Sequence, residues 1–121
     1  MARSAPRSRL AAAVPPATFG ADAVYTDFGS AHNVAINEDT GFAYVVGSDT
    51  CGEGLHMIDV SVPVNPLFAG CHSAFEVHDT VCTIYQGPDA AYTDSEICFS
   101  SAKVSLLRAY SKNRASFLTL R

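Results

Sequence analysis

Between Arg9 and Lys103 the chain carries no lysine and no arginine. Its eight basic residues sit at the two ends, as Arg3, Arg7 and Arg9 and then Lys103, Arg108, Lys112, Arg114 and Arg121, while all twelve acidic residues fall between Asp22 and Glu96. A nucleic-acid backbone is neutralised by clustered Lys and Arg. A purely acidic middle, in a chain whose overall net charge is -4 and whose pI is near 5.4, argues against nucleic acid as a partner.

Other signatures are missing too. No stretch approaches the ~20 apolar residues that cross a bilayer as a helix, so no transmembrane segment is expected. The start, MARSAPRSRLAAAVPPA, is basic like a secretory signal, but its apolar run Leu10 to Val14 is shorter than the ~7 residues such a core needs. No Gly-x-Ser-x-Gly elbow, Gly-x-Gly-x-x-Gly or P-loop occurs, which leaves nucleophilic and nucleotide chemistry without support and names no catalytic residue. Asn37, Glu38 and Asp39 lack the spaced ligands and closing Glu of a calcium loop and read as a solvated turn.

Four cysteines, Cys51, Cys71, Cys82 and Cys98, all lie in the acidic middle. An even count in a β-patterned segment points to disulfides and an oxidising compartment. A zinc cluster is the weaker reading, because neither Cys-x-x-Cys nor His-x-x-x-His is present.

Residues 1–20, rich in Ala, Arg, Ser and Pro, read as a flexible leader, and Ala23 to Phe28 as a short strand. From His32 the pattern is clear. Val34 and Ile36 alternate with Ala35 and Asn37, Asn37 to Gly41 supplies turn chemistry, and Phe42 to Val46 returns as an apolar run buried on both faces. Leu55, Met57 and Asp59 then alternate with His56, Ile58 and Val60; Pro63 and Pro66 bar a helix, and Leu67 to His72 is a last short strand. Four short strands within ~45 residues are the content of one propeller blade. His78-Asp79 then echoes His32-Asn33, opening a second run of strands at Thr80 to Tyr85 and Glu96 to Phe99. The expected fold is all-β: a four-stranded antiparallel blade over 32–72 and part of a second over 78–101, a fragment of a β-propeller. The unmatched tail, 102–121, reads as helical or disordered.

The order of SAHNVAINEDTGFAYVVGSDTCGEGLHMIDVSVPVNPLFAGC, VHDTVCTIYQGPD and EICFSS resembles the choice-of-anchor B family of LVIVD-repeat proteins, over residues 21–101. The resemblance implies a larger propeller, secreted or held at a cell surface. Four cysteines allow three connectivities. The meander favours Cys51 with Cys71, at one end of the first blade, and Cys82 with Cys98 across the second hairpin.

His32 and His78 are the sharpest candidates for chemistry. Each opens a blade's first strand, which lines a propeller's channel, and with Asp79 they would hold a transition metal through neutral imidazole. In the more economical reading each imidazole fixes its strand start, since two histidines make an incomplete site. His56, His72 and Asp59 read as structural, with Asp59 accepting hydrogen bonds from the following turn. The leading expectation is a non-enzymatic interaction or structural module with a protein or glycan partner. Its rivals are a metal-dependent propeller enzyme and a truncated product without independent function.

Overall fold

The structure, a computed structural model, describes residues 14–102 in full and the backbone of 107–111 and 114–119. It is all-β apart from one short 3-10 turn. Strands β1 (Asn33–Asn37), β2 (Phe42–Val46), β3 (Leu55–Asp59) and β4 (Leu67–His72) form one antiparallel meander; β5 (Val77–Ile84), β6 (Glu96–Ala102), β7 (Leu107–Ser111) and β8 (Arg114–Thr119) form a second. Both sheets are open, each with its strands in chain order.

The β1–β2 turn is built by its residues. The Asn37 carbonyl accepts from the Gly41 amide at 2.9 Å, and the Asn37 side chain accepts from the Asp39 amide at 3.1 Å, closing an Asx turn. Gly41 has φ of 74°, and a Cβ there would stand 3.0 Å from the Ser61 backbone, so only glycine fits without strain. At the far end of β3, Asp59 Oδ1 accepts from the Ser61 amide and hydroxyl at 2.9 and 2.6 Å, the turn-closing role read from the sequence.

The registers divide the first sheet into two apolar faces. Tyr44, Val46, Leu55 and Met57 point to one side and pack against Val77 and Cys98 of the second sheet, forming the central core. Ala43, Val45 and Ile58 point to the other, where Tyr25, Phe28 and Val60 cover them. Ala43 to Val46 are all buried, which explains the uninterrupted apolar run in β2. Each large side chain so buried contributes about 1.5–3 kcal/mol.

A polar clasp crosses the same interface. Glu96, only 4% exposed, accepts through Oε1 from Asn37 Nδ2 at 2.7 Å and from the Thr40 hydroxyl at 2.8 Å. A buried carboxylate is tolerated when its lone pairs are used, and here they tie the first turn of one sheet to the start of β6 in the other.

The bridges join Cys51 to Cys71, with Cα atoms 5.4 Å apart, and Cys82 to Cys98, 4.0 Å apart. Cys82 and Cys98 are directly opposite across β5 and β6.

Two expectations require correction. Ala23 to Phe28 is not a strand: it crosses the outer face of the first sheet as irregular chain, because its Tyr25 and Phe28 rings are partly buried on the sheet's face against Ala43, Val45 and Ile58 rather than its backbone pairing at an edge. The tail contains β7 and β8, which extend the second sheet from the open edge of β6. Pairing to an available edge overrides the weak helical preference of its Leu and Arg residues. Of the leader, 14–20 is exposed irregular chain, and the rest lies outside the described residues.

Candidate functional site

The first strands of the two sheets, β1 and β5, are neighbours, and this brings the echoed motifs together. The His32 and His78 rings are 4.2 Å apart between centroids and tilted by 46°. One position on, Asn33 Nδ2 donates to Asp79 Oδ1 at 3.2 Å. Asp79 Oδ1 also accepts from the Thr80 amide at 3.0 Å, and Asn33 Oδ1 from the Val34 amide at 2.8 Å. The two His-polar pairs thus form one contact between sheets, with the Asp79 oxygen that faces Asn33 committed to neutral donors.

A second cluster forms on the outer face of the first sheet. His56 in β3 is 3% exposed and stands in register with Val45 on one side and Cys71 on the other. Its ring is enclosed by edge-on contacts to Tyr25, Phe28 and Phe68 at centroid separations of 5.6, 5.4 and 5.2 Å. Both ring nitrogens are engaged: Nε2 lies 2.8 Å from the Tyr25 hydroxyl, and Nδ1 lies 2.8 Å from Thr50 Oγ1 and 3.5 Å from Cys51 Sγ.

Burial shapes the electrostatics. Removal from water holds the His56 pKa below the ordinary imidazole value, against the weaker opposing pull of the Asp27 charge. The Tyr25 hydroxyl is pushed up to about 12, first by burial and then by its hydrogen bond to Asp27 and that carboxylate's charge. With the Tyr25 proton given to Asp27, its oxygen is left to accept from Nε2–H. Nδ1 is then the basic nitrogen, turned toward Thr50 and Cys51.

The loop that delivers Thr50 and Cys51 is unusual. Cys51, Gly52 and Glu53 form a 3-10 turn with φ of 53°, 58° and 58°, a left-handed path that costs about 1–2 kcal/mol per non-glycine residue. It closes with the Gly54 amide donating to the Cys51 carbonyl at 3.0 Å, and a Cβ on Gly54 would collide with the His72 carbonyl. Among the described residues, Cys51, His56 and Cys71 are the one group of three whose metal-ligating atoms gather, all lying within 4.8 Å of one another. His32, His78 and Asp79 do not converge in this way.

Beside this cluster, Phe28, His32, Val34, Ala43, Val45 and Ile58 help line an open apolar groove of about 420 Å³. Val34, 51% exposed, belongs to its wall, and Ile36, 60% exposed and paired in register with the lining residue Ala43, lies next along the same face of β1.

The sequence reading paired the two blade-opening histidines but treated His56 as structural. The signal it lacked is non-local: Tyr25, Thr50 and Cys71 come from three separate segments, and only the register of β3 with β4 sets Cys71 opposite His56. No family model, no curated protein and no solved structure matches this chain.

Proposed function

We propose that the chain is part of a secreted or cell-surface β-propeller of the LVIVD-repeat, choice-of-anchor B type, and that it acts as a non-enzymatic interaction module for a protein partner. The observation that carries the interaction reading is the half-covered outer face of the first sheet. Its inner face is sealed by the second sheet, whereas the outer one leaves the apolar groove and the exposed Val34 and Ile36. A contiguous apolar surface of this kind suits protein side chains better than glycan hydroxyls.

The blade reading draws support from two face-packed meanders whose first strands are neighbours and whose opening motifs touch. Two disulfides fit an oxidising compartment. Among the described residues no helix is long and apolar enough to cross a membrane.

The test is an array of extracellular protein domains and glycans probed with the oxidised chain. A saturable protein ligand whose affinity falls at least ~10-fold with Ile36→Asp, at a solvent-exposed position, is the expected outcome. Binding to glycans alone, insensitive to Ile36, would count against it. A thermal melt by circular dichroism accompanies the array, and absence of a cooperative β-rich transition would favour a truncated product without independent function.

The second reading, a metal-dependent propeller enzyme with His32 and His78 in its channel, is favoured by one observation, the 4.2 Å approach of the two rings. Stoichiometric transition metal in the purified protein, lost with His32→Ala, would establish it.

A further inference from the structure

We propose that Cys51, Cys71 and His56 form a redox-gated zinc site: a covalent crosslink when the bridge is closed, and a two-thiolate, one-imidazole ligand set for a single Zn²⁺ when a thiol reductant opens it.

The geometry is already close to that of a bound ion. Zinc holds thiolate sulfur at about 2.3 Å and imidazole nitrogen at about 2.0–2.1 Å in a tetrahedron, which places a sulfur and a nitrogen ligand about 3.5 Å apart. Cys51 Sγ and His56 Nδ1 are 3.5 Å apart. To complete the tetrahedron the two sulfurs must separate to roughly 3.8 Å and the Cys71 sulfur, already within 4.8 Å of the imidazole ligand atom, must settle at about 3.5 Å from it; the Cα atoms of the two cysteines, 5.4 Å apart, allow this by side-chain rotation.

The surroundings prepare His56 as a ligand. A metal-bound histidine ordinarily donates its other ring N–H to a fixed acceptor, which sets tautomer and orientation. Here Nε2 faces the Tyr25 hydroxyl at 2.8 Å, itself tied to Asp27, so the chain from Asp27 through Tyr25 turns the Nδ1 lone pair toward the sulfurs. Burial keeps the imidazole neutral, the form that binds metal. When Nδ1 takes the ion, Thr50 Oγ1 retains Ser48 Oγ at 2.8 Å.

Access and balance are both satisfied. Cys71 is exposed and Cys51 half-buried, so an external thiolate of a dithiol reaches the Cys71 sulfur. Its attack forms a mixed disulfide on Cys71 and releases the Cys51 thiolate. The second thiol of the reductant resolves the mixed disulfide, leaving two protein thiols and one oxidised dithiol. Binding of Zn²⁺ then displaces the two thiol protons. The fourth position falls to water or an incoming ligand.

The experiment titrates Co²⁺, as a spectroscopic stand-in for zinc, into the full chain before and after treatment with a non-chelating phosphine, which opens the bridge by the same two-electron reduction. The expected result is one equivalent of tetrahedral, thiolate-ligated Co²⁺ on the reduced chain only, displaced by Zn²⁺ and retained in C82A/C98A. His56→Ala should lower affinity at least ~10-fold, and Tyr25→Phe should weaken it through loss of the Nε2 partner. Circular dichroism follows each form. The proposal is overturned by a reduced chain that takes up no metal, by binding that survives His56→Ala unchanged or requires Cys82 and Cys98, or by reduction that unfolds the chain without recovery on adding Zn²⁺.

Discussion

Asn37 Nδ2 donates to Glu96 Oε1 at 2.7 Å across the interface between the two sheets, joining residues that are both nearly inaccessible to solvent. Removing the acceptor while leaving the buried donor costs more than the bond itself contributes. Glu96→Ala should therefore destabilise the chain by about 2–3 kcal/mol, measured by urea unfolding. Glu96→Gln, which preserves both the shape and a carbonyl acceptor, should lose less than half of that, and equal losses would show that the charge of the carboxylate, rather than shape or the presence of an acceptor, dominates.

The two disulfides close loops of similar length, with sequence separations of 20 and 16. Chain entropy then assigns each about 3 kcal/mol. C82A/C98A and C51A/C71A should lower stability by comparable amounts in denaturant titrations. A loss in one pair more than twice that in the other would point to native-state packing as the source.

His56 supplies a pH dependence whose sign follows from its environment. The folded state disfavours the imidazolium, so the unfolded chain binds more protons below the ordinary imidazole pKa of about 6.5. The stability contributed by neutral His56 is fully present above that value and is lost as pH falls from there through the depressed folded pKa. His56→Leu should flatten this part of the stability profile, as read by denaturation midpoints across pH 7 to 5.

Tyr25 gives the matching signal at the alkaline end. Its folded pKa of about 12 lies above the unperturbed value of 10.0, so its contribution is complete below pH 10 and declines as pH rises toward 12. Ultraviolet titration of the five tyrosines should contain a late component that Tyr25→Phe removes.

Much of this architecture was readable from residue order, and particular residues show why. Alternation in Leu55 to Ile58 assigned the correct faces, because a strand's side chains change sides at every residue. Asn37 to Gly41 announced its turn through a local Asx bond and one left-handed glycine. The echo of His32-Asn33 in His78-Asp79 became a physical contact between sheets. What escaped was convergence over distance. Glu96 looked like a polar strand start until Asn37 and Thr40 were seen to close over it. Tyr25 looked like part of a strand, yet it serves as a cover for His56 from 31 positions away. The tail strands β7 and β8 were hidden for a related reason, since their conformation depends on an edge that only the folded β6 presents.

The bridge between facing residues of β5 and β6 also governs what proteolysis can achieve. The segment from Tyr85 to Ser95 joins these strands outside the sheet and contains exposed residues at Pro88 to Ala91. A protease that cuts there separates nothing, because Cys82 and Cys98 hold the two products together and keep their strands opposite one another. Such a nicked molecule has the mass of the intact chain plus one water and divides only on reduction. Cleavage followed by reduction is thus a two-key release, in which neither event alone breaks every covalent link to the C-terminal quarter of the chain.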